Sequence, residues 1–133
     1  IGKSKVQVAV AHRGALETRR GRVAEHDLVT EVYVVTSGGG TILTGADLVN
    51  KVRRPPDNRA VQFLNGPGNN AENVRDGVTH HLKEGDVFVI PAGTGHEFTE
   101  IPDHITYMMV RVDPDKIVPL MDATASRRYL DER

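Results

Sequence analysis

Two histidines and one glutamate are the residues of this chain best suited to bind a metal ion. His26 and Glu31 flank a short connection between two predicted strands, and His96 opens another strand later in the chain. Two imidazoles and one carboxylate that meet at one end of a β-domain form the ligand set of non-haem iron and related divalent metal sites. Such a set leaves coordination positions open for a substrate. These three residues therefore predict a metal centre.

A tight corner determines where His96 begins its strand. Gly85–Asp86 predicts an acidic turn, residues 87–90 a buried strand, and Pro91–Gly95 a corner built from proline and glycine. Proline presets φ and glycine adopts the conformations that a sharp corner needs. The corner is expected to direct the imidazole of His96 into a concave interior.

Short β-strands separated by glycine-rich turns dominate the rest of the chain. The clearest strand signals are Val6–Val10, Glu31–Val35 and His104–Val112. Ser37–Gly40 predicts a turn, so that residues 41–44 return as the partner strand of a hairpin. Residues 46–77 are predicted to be mostly irregular, with one further strand over 60–64. This pattern favours a β-sandwich or β-barrel.

The segment around His96 resembles the second sequence motif of the cupins, G-x5-P-x-G-x2-H-x3-N. It matches that motif at Gly85, Pro91, Gly93 and His96, whereas Glu100 stands where the motif has asparagine. The resemblance implies an all-β fold, the cupin double-stranded β-helix or jelly-roll barrel. It also implies one domain over residues 1–133, with a barrel core at about 16–113 and a C-terminal tail at 114–133.

The first cupin motif, G-x5-H-x-H-x3,4-E-x6-G, is met in part. His26, Glu31 and Gly38 match it, but Thr18 replaces the first glycine and Ala24 replaces the first histidine. The family uses three histidines and one glutamate, so one ligand is absent here. Either a three-ligand site remains with an additional open position, or the pocket functions without metal. We expect a divalent ion, iron, manganese, nickel or zinc (Fe, Mn, Ni or Zn).

Strand alternation predicts which other side chains line the interior. If His26, Glu31 and His96 point inward, then Arg22, Tyr33, Phe98 and Glu100 do so as well. We expect Arg22, Tyr33 and Phe98 to bind substrate, with Arg22 pairing a carboxylate or phosphate. Tyr33 and Glu100 are the candidate catalytic groups. An Arg22–Glu100 ion pair is the alternative role for these two side chains, and a bulge at Gly21 would turn Arg22 away.

The resulting functional hypothesis is a metal-dependent small-molecule enzyme of the dioxygenase, isomerase or lyase class. Two alternatives stay open at this point. One is a non-catalytic cupin that binds a small anion, and the other is a metal-free sugar epimerase or isomerase. The resemblance also implies a homodimer that pairs through edge strands and the N-terminal strand.

Composition restricts the partners and the chemistry. With 17 Lys+Arg against 18 Asp+Glu, the chain has no basic excess for nucleic acid, and no apolar run is long enough to span a membrane. The absence of cysteine excludes disulfides and a cysteine nucleophile and fits a cytoplasmic location.

Overall fold

The structure, a computed structural model, describes residues 3–132 and is dominated by antiparallel β-strands. One π-helical turn, Val61–Asn65, and one α-helix, α1 (Ala123–Asp131), accompany ten strands in these residues. The strands are β1 (Lys5–Leu16), β2 (Val23–His26), β3 (Thr30–Gly45), β4 (Asp47–Val49), β5 (Val52–Arg53), β6 (Gly68–Ala71), β7 (Asn73–Arg75), β8 (Val78–Lys83), β9 (Val87–Ile90) and β10 (Gly95–Asp113).

Two long strands, β3 and β10, are antiparallel partners and run through two layers of the fold. The first half of β3 pairs with β9 and with the second half of β10, which also pairs with β1. The second half of β3 pairs with β8 and with the first half of β10, and the order continues through β2, β6 and β5. The predicted all-β jelly-roll fold is confirmed.

The hairpin predicted around Ser37–Gly40 is wrong, because β3 continues through these glycines without turning back. Gly38 has φ of 70°, and a Cβ atom there would collide with the carbonyl oxygen of His104. Here the register between β3 and β10 shifts as both strands pass from one layer to the other. The glycines therefore serve the close approach of two backbones rather than a reversal of the chain.

The segment 46–77 also differs from its prediction. Residues 61–65 form a π-helical turn instead of a strand, and β6 and β7 lie where a loop was predicted. Gly68–Ala71 has little intrinsic β propensity, yet it pairs along β2. Pairing to an existing strand has overridden local preference.

The main hydrophobic core lies between the two layers and consists of eight buried side chains. Alternate residues of β3, β8, β9 and β10 supply it, as expected for strands with one inward face. Its members are Tyr33, Val35, Ile42, Leu82, Ile90, Ile101, Ile105 and Tyr107.

The C-terminal segment is anchored to the barrel before it forms α1. The carboxylate of Asp113 accepts hydrogen bonds from the backbone N–H groups of Ile117 and Val118, each at 3.0 Å. Asp122 caps the N-terminus of α1, where its carboxylate satisfies otherwise unpaired N–H groups. In the described part of the chain, no helix has the length and apolarity to cross a membrane.

Candidate metal centre

The structure brings His26, Glu31 and His96 together at one place in the barrel. One ligand atom from each lies within 4.8 Å of the other two. The Nε2 atom of His26 is 3.7 Å from one Glu31 carboxylate oxygen, and that of His96 is 3.5 Å from the other. The carboxylate therefore lies between two imidazoles.

Strand pairing and the proline–glycine corner produce this arrangement. His26 ends β2, Glu31 lies near the start of β3, and His96 is the second residue of β10. The corner is attached directly to β2, since the Gly93 N–H donates to the backbone oxygen of His26 at 2.7 Å. Gly93 itself has φ of 78°, a conformation that glycine adopts without steric cost.

Burial sets the protonation of the three groups. Their side chains are almost fully buried, with residue exposures of 5% for His26, 2% for Glu31 and 8% for His96. Burial lowers the pKa of His26 to about 3, and it lowers the pKa of His96 as well. Burial alone would raise the pKa of Glu31, but His26, His96 and Arg111 outweigh it and lower that pKa. Neutral imidazoles and an ionised carboxylate, the forms that bind metal, are thus favoured at neutral pH.

Three donors hold the Glu31 carboxylate. The Tyr33 hydroxyl donates to it at 2.8 Å, Arg111 Nε at 2.9 Å and Asn65 Nδ2 at 3.2 Å. Burial and the neighbouring carboxylate raise the pKa of Tyr33. Tyr33 therefore keeps its proton and acts here as a hydrogen-bond donor.

Asn65 and Arg54 contact His26 from the segment that sequence reasoning had left largely irregular. Asn65 Nδ2 is 2.7 Å from His26 Nε2, and Arg54 Nη1 is 3.4 Å from His26 Nδ1. Both residues are buried. No sequence signal pointed to either one. Arg111 could have been found, because alternation along the last strand places it on the same side as Tyr107 and Met109.

A cavity of about 550 Å³ opens beside the three residues. Its wall combines arginines, aromatic rings and one face of the metal-ligand candidates. The residues that matter here are Arg20, Arg22, Ala24, Tyr33, His96 and Phe98. The cavity joins positive charge to apolar surface, which suits a small anion with a carbon skeleton.

Glu100 does not reach this cavity, contrary to the alternation argument. The register of β10 against β3 shifts between Phe98 and Glu100, and Glu100 is exposed. The buried carboxylate nearby is instead Glu97, which accepts from Arg19 Nε at 2.8 Å and from the Arg22 backbone N–H at 2.7 Å. An Arg22–Glu100 pair is therefore not formed.

The donor set fits a divalent metal ion. Nitrogen and oxygen ligands bound at about 2.1 Å lie roughly 3.0–3.4 Å apart, close to the 3.5 and 3.7 Å that separate Glu31 from the two imidazoles. The Nδ1 atom of His96 lies 3.2 Å from the Thr94 carbonyl oxygen, so that Nδ1 carries the proton. Its Nε2 lone pair then faces Glu31, as in histidines whose second nitrogen is fixed by a backbone carbonyl.

Comparison with known families supports the same interpretation of the fold. Residues 72–132 match the model of the AraC-like ligand binding domain, a span that contains the corner, His96 and β10. The chain is a member of the cupin superfamily. No curated protein sequence matches this cupin.

Several solved structures are similar to this cupin at low sequence identity. They include RmlC from Streptococcus suis in complex with dTDP-D-xylose, with 14% identity, 93% of this chain and 49% of that chain covered, and a TM-score of 0.49. A protein from Bacillus halodurans shows 14% identity, 88% and 65% coverage and a TM-score of 0.47. An oxalate oxidase shows 16% identity, 97% and 66% coverage and a TM-score of 0.39. This cupin thus spans between about half and two thirds of the length of these proteins.

Proposed function

We propose that this cupin binds a divalent metal ion through His26, Glu31 and His96 and acts on a small anionic molecule in the adjacent cavity. The observation that carries the proposal is the close approach of three buried ligand atoms at the wall of that cavity. The match of residues 72–132 to a ligand-binding domain also favours capture of a small molecule.

The ion would supply Lewis-acid activation of a bound substrate, as in the dioxygenase, isomerase or lyase classes. The chain's own residues would do the rest. Arg22 at the cavity wall would pair an anionic group, and the ring of Phe98 would cover the carbon skeleton. Tyr33 would fix the orientation of Glu31 and keep a proton available at its hydroxyl oxygen.

Metal titration tests this proposal. Protein stripped with chelator would be titrated by calorimetry with Fe²⁺ under anaerobic conditions, and separately with Mn²⁺, Ni²⁺ and Zn²⁺. One ion per chain is the expected stoichiometry for at least one of these metals. Absence of stoichiometric binding by all four would overturn the proposal.

Replacing Ala24 with histidine is expected to strengthen metal binding. Ala24 lies directly opposite His96 in the pairing of β2 with β10 and lines the cavity. A histidine at this position would add a fourth ligand beside the first three, so that the dissociation constant falls by about 10- to 100-fold. The same titration measures the change. An unchanged or weaker affinity would show that position 24 does not face the metal.

A second candidate function, binding of an anion without metal, is favoured by one specific observation. Arg13, Arg20 and Arg22 all line the cavity, and Tyr33 and Arg111 already satisfy Glu31 in the absence of any ion. Under this alternative, small carboxylates would bind equally well with and without chelator.

Arg22→Ala is expected to weaken anion binding about 10-fold or more, because a charge-assisted pair is lost. The measurement is a calorimetric titration with oxalate, malonate and inorganic phosphate, in metal-loaded and chelator-treated protein. Arg75→Ala is the matched control, since Arg75 is exposed and pairs with Asp47 away from the cavity. Equal losses in both variants would contradict a role for Arg22 at the site.

Several expectations from the sequence stay predictions. These are the bounds of the barrel core and tail, the homodimer, the lack of nucleic-acid and membrane partners, and the cytoplasmic location. Fractionation of the source cells would test the location.

A further inference from the structure

The outer face of the layer formed by β1, β10, β3 and β9 is apolar and open to solvent. Val10 is 75% exposed, Val87 is 65% exposed and Val8 is 63% exposed. We call this surface the valine face. Its ten members are Val6, Val8, Val10, Val32, Val34, Val87, Val89, Met108, Val110 and Val112.

Strand register aligns these side chains into continuous rows. One row runs Val10, Met108, Val34, Val87 across the four strands, and the next runs Val8, Val110, Val32, Val89. A shorter third row pairs Val6 with Val112. Side chains that stand opposite one another on neighbouring strands share one face of a sheet. The apolar surface is therefore contiguous rather than scattered.

The inward face of the same layer already supplies the core, so the valine face is not needed for it. Tyr33, Ile90 and Tyr107 point inward from β3, β9 and β10 and are almost fully buried. Four strands about 4.8 Å apart, with three rows about 6.8 Å apart, give a flat area of roughly 400 Å². An exposed apolar patch of that size marks an interaction surface.

The chemistry of the face indicates what covers it. All ten members are uncharged, and the bordering row of His12, Thr36 and Thr106 is polar and hydrogen-bonded within itself. A two-fold axis sets a surface against an identical surface, so charges within it would repel one another. An uncharged, flat face meets this condition. Roughly 400 Å² is about half of what each partner of a standard interface buries, and the polar border would supply the remainder.

We propose that the valine face packs against the valine face of a second copy of this chain. The proposal is independent of the metal centre and differs from pairing of strand edges, since β1 contributes side chains rather than backbone. Interfaces of homodimers are more apolar than the average protein surface, as this face is. The net charge of −1 adds little repulsion between copies.

The test is the oligomeric state of a double variant, Val8→Glu with Val89→Glu. Sedimentation velocity from about 1 to about 100 μM is expected to show a dimer for the wild type and a dimer dissociation constant at least about 100-fold higher for the variant. Val78→Glu is the matched control, because Val78 is 58% exposed on β8, outside the valine face. Circular dichroism would verify that each variant is folded.

Val8→Thr provides a second variant if the double glutamate variant does not fold. Threonine keeps the shape and β preference of valine but adds a hydroxyl, so weaker dimerisation without unfolding is expected. A wild type that is monomeric throughout the concentration range would overturn the proposal. So would a folded double glutamate variant that dimerises as tightly as wild type, or a monomer that sediments with neutral phospholipid vesicles.

Discussion

His96→Ala is expected to weaken metal binding by at least about 100-fold, the largest change in affinity that the structure implies for a single substitution. His96 supplies one of only three ligand atoms that lie within 4.8 Å of one another. Alanine leaves the ion with one imidazole and one carboxylate, and water must complete its coordination. Calorimetric titration of chelator-stripped variant and wild type measures the ratio of dissociation constants.

His81→Ala is the control for this substitution. His81 is exposed on β8 and contacts Thr41, so its loss removes an imidazole without touching the centre. It is expected to bind metal as wild type does. Equal metal affinity in folded His96→Ala and wild type would contradict the proposed ligand set.

Arg111→Met is expected to destabilise the metal-free protein by about 3 kcal/mol. Arg111 Nε donates to Glu31 at 2.9 Å, and the side chains are only 11% and 2% exposed. Removing the guanidinium leaves a buried carboxylate without its cation, although Tyr33 and Asn65 still donate to it. Urea denaturation of chelator-treated protein gives the change in the free energy of unfolding.

Two comparisons make the Arg111 result specific. Arg75→Met removes an exposed ion pair with Asp47 and is expected to cost less than about 1 kcal/mol. Adding Glu31→Gln to Arg111→Met removes the unpaired charge and is expected to recover part of the lost stability. A loss for Arg111→Met no larger than for Arg75→Met would show that the buried pair is not important for stability.

The fold could be predicted from the sequence because local and family signals agree. Glycine and proline around residues 91–95 predicted a corner, and the structure has a turn there with Gly93 at positive φ. The spacing from this corner back to His26 and Glu31 resembled the two cupin motifs. The structure places these three residues side by side, although the intervening segment was largely misjudged.

The errors arose where long-range pairing overrode local pattern. Ser37–Gly40 has the composition of a hairpin turn, yet β3 runs straight through it along β10. Alternation predicted that Glu100 faces inward, but the register shift after Phe98 turns it to solvent. Such a shift depends on the partner strand and leaves no mark in the sequence.

Asn65 shows the same limit at the candidate site. It lies in a segment with neither clear periodicity nor a metal-ligand motif, yet its amide contacts both His26 and Glu31. Only the packing of the π-helical turn against β2 and β3 brings it there. Ligand spacing in a motif can be recognised from sequence, whereas the residues that surround a ligand set come from wherever the chain returns.

Anomalous scattering from a crystal soaked in Mn²⁺ or Zn²⁺ tests the central claim most directly. A single peak is predicted about 2.0–2.3 Å from His26 Nε2, His96 Nε2 and a Glu31 carboxylate oxygen. A fully soaked crystal with no peak between these three side chains, and with Glu31 held only by Tyr33, Asn65 and Arg111, would contradict the proposed metal centre.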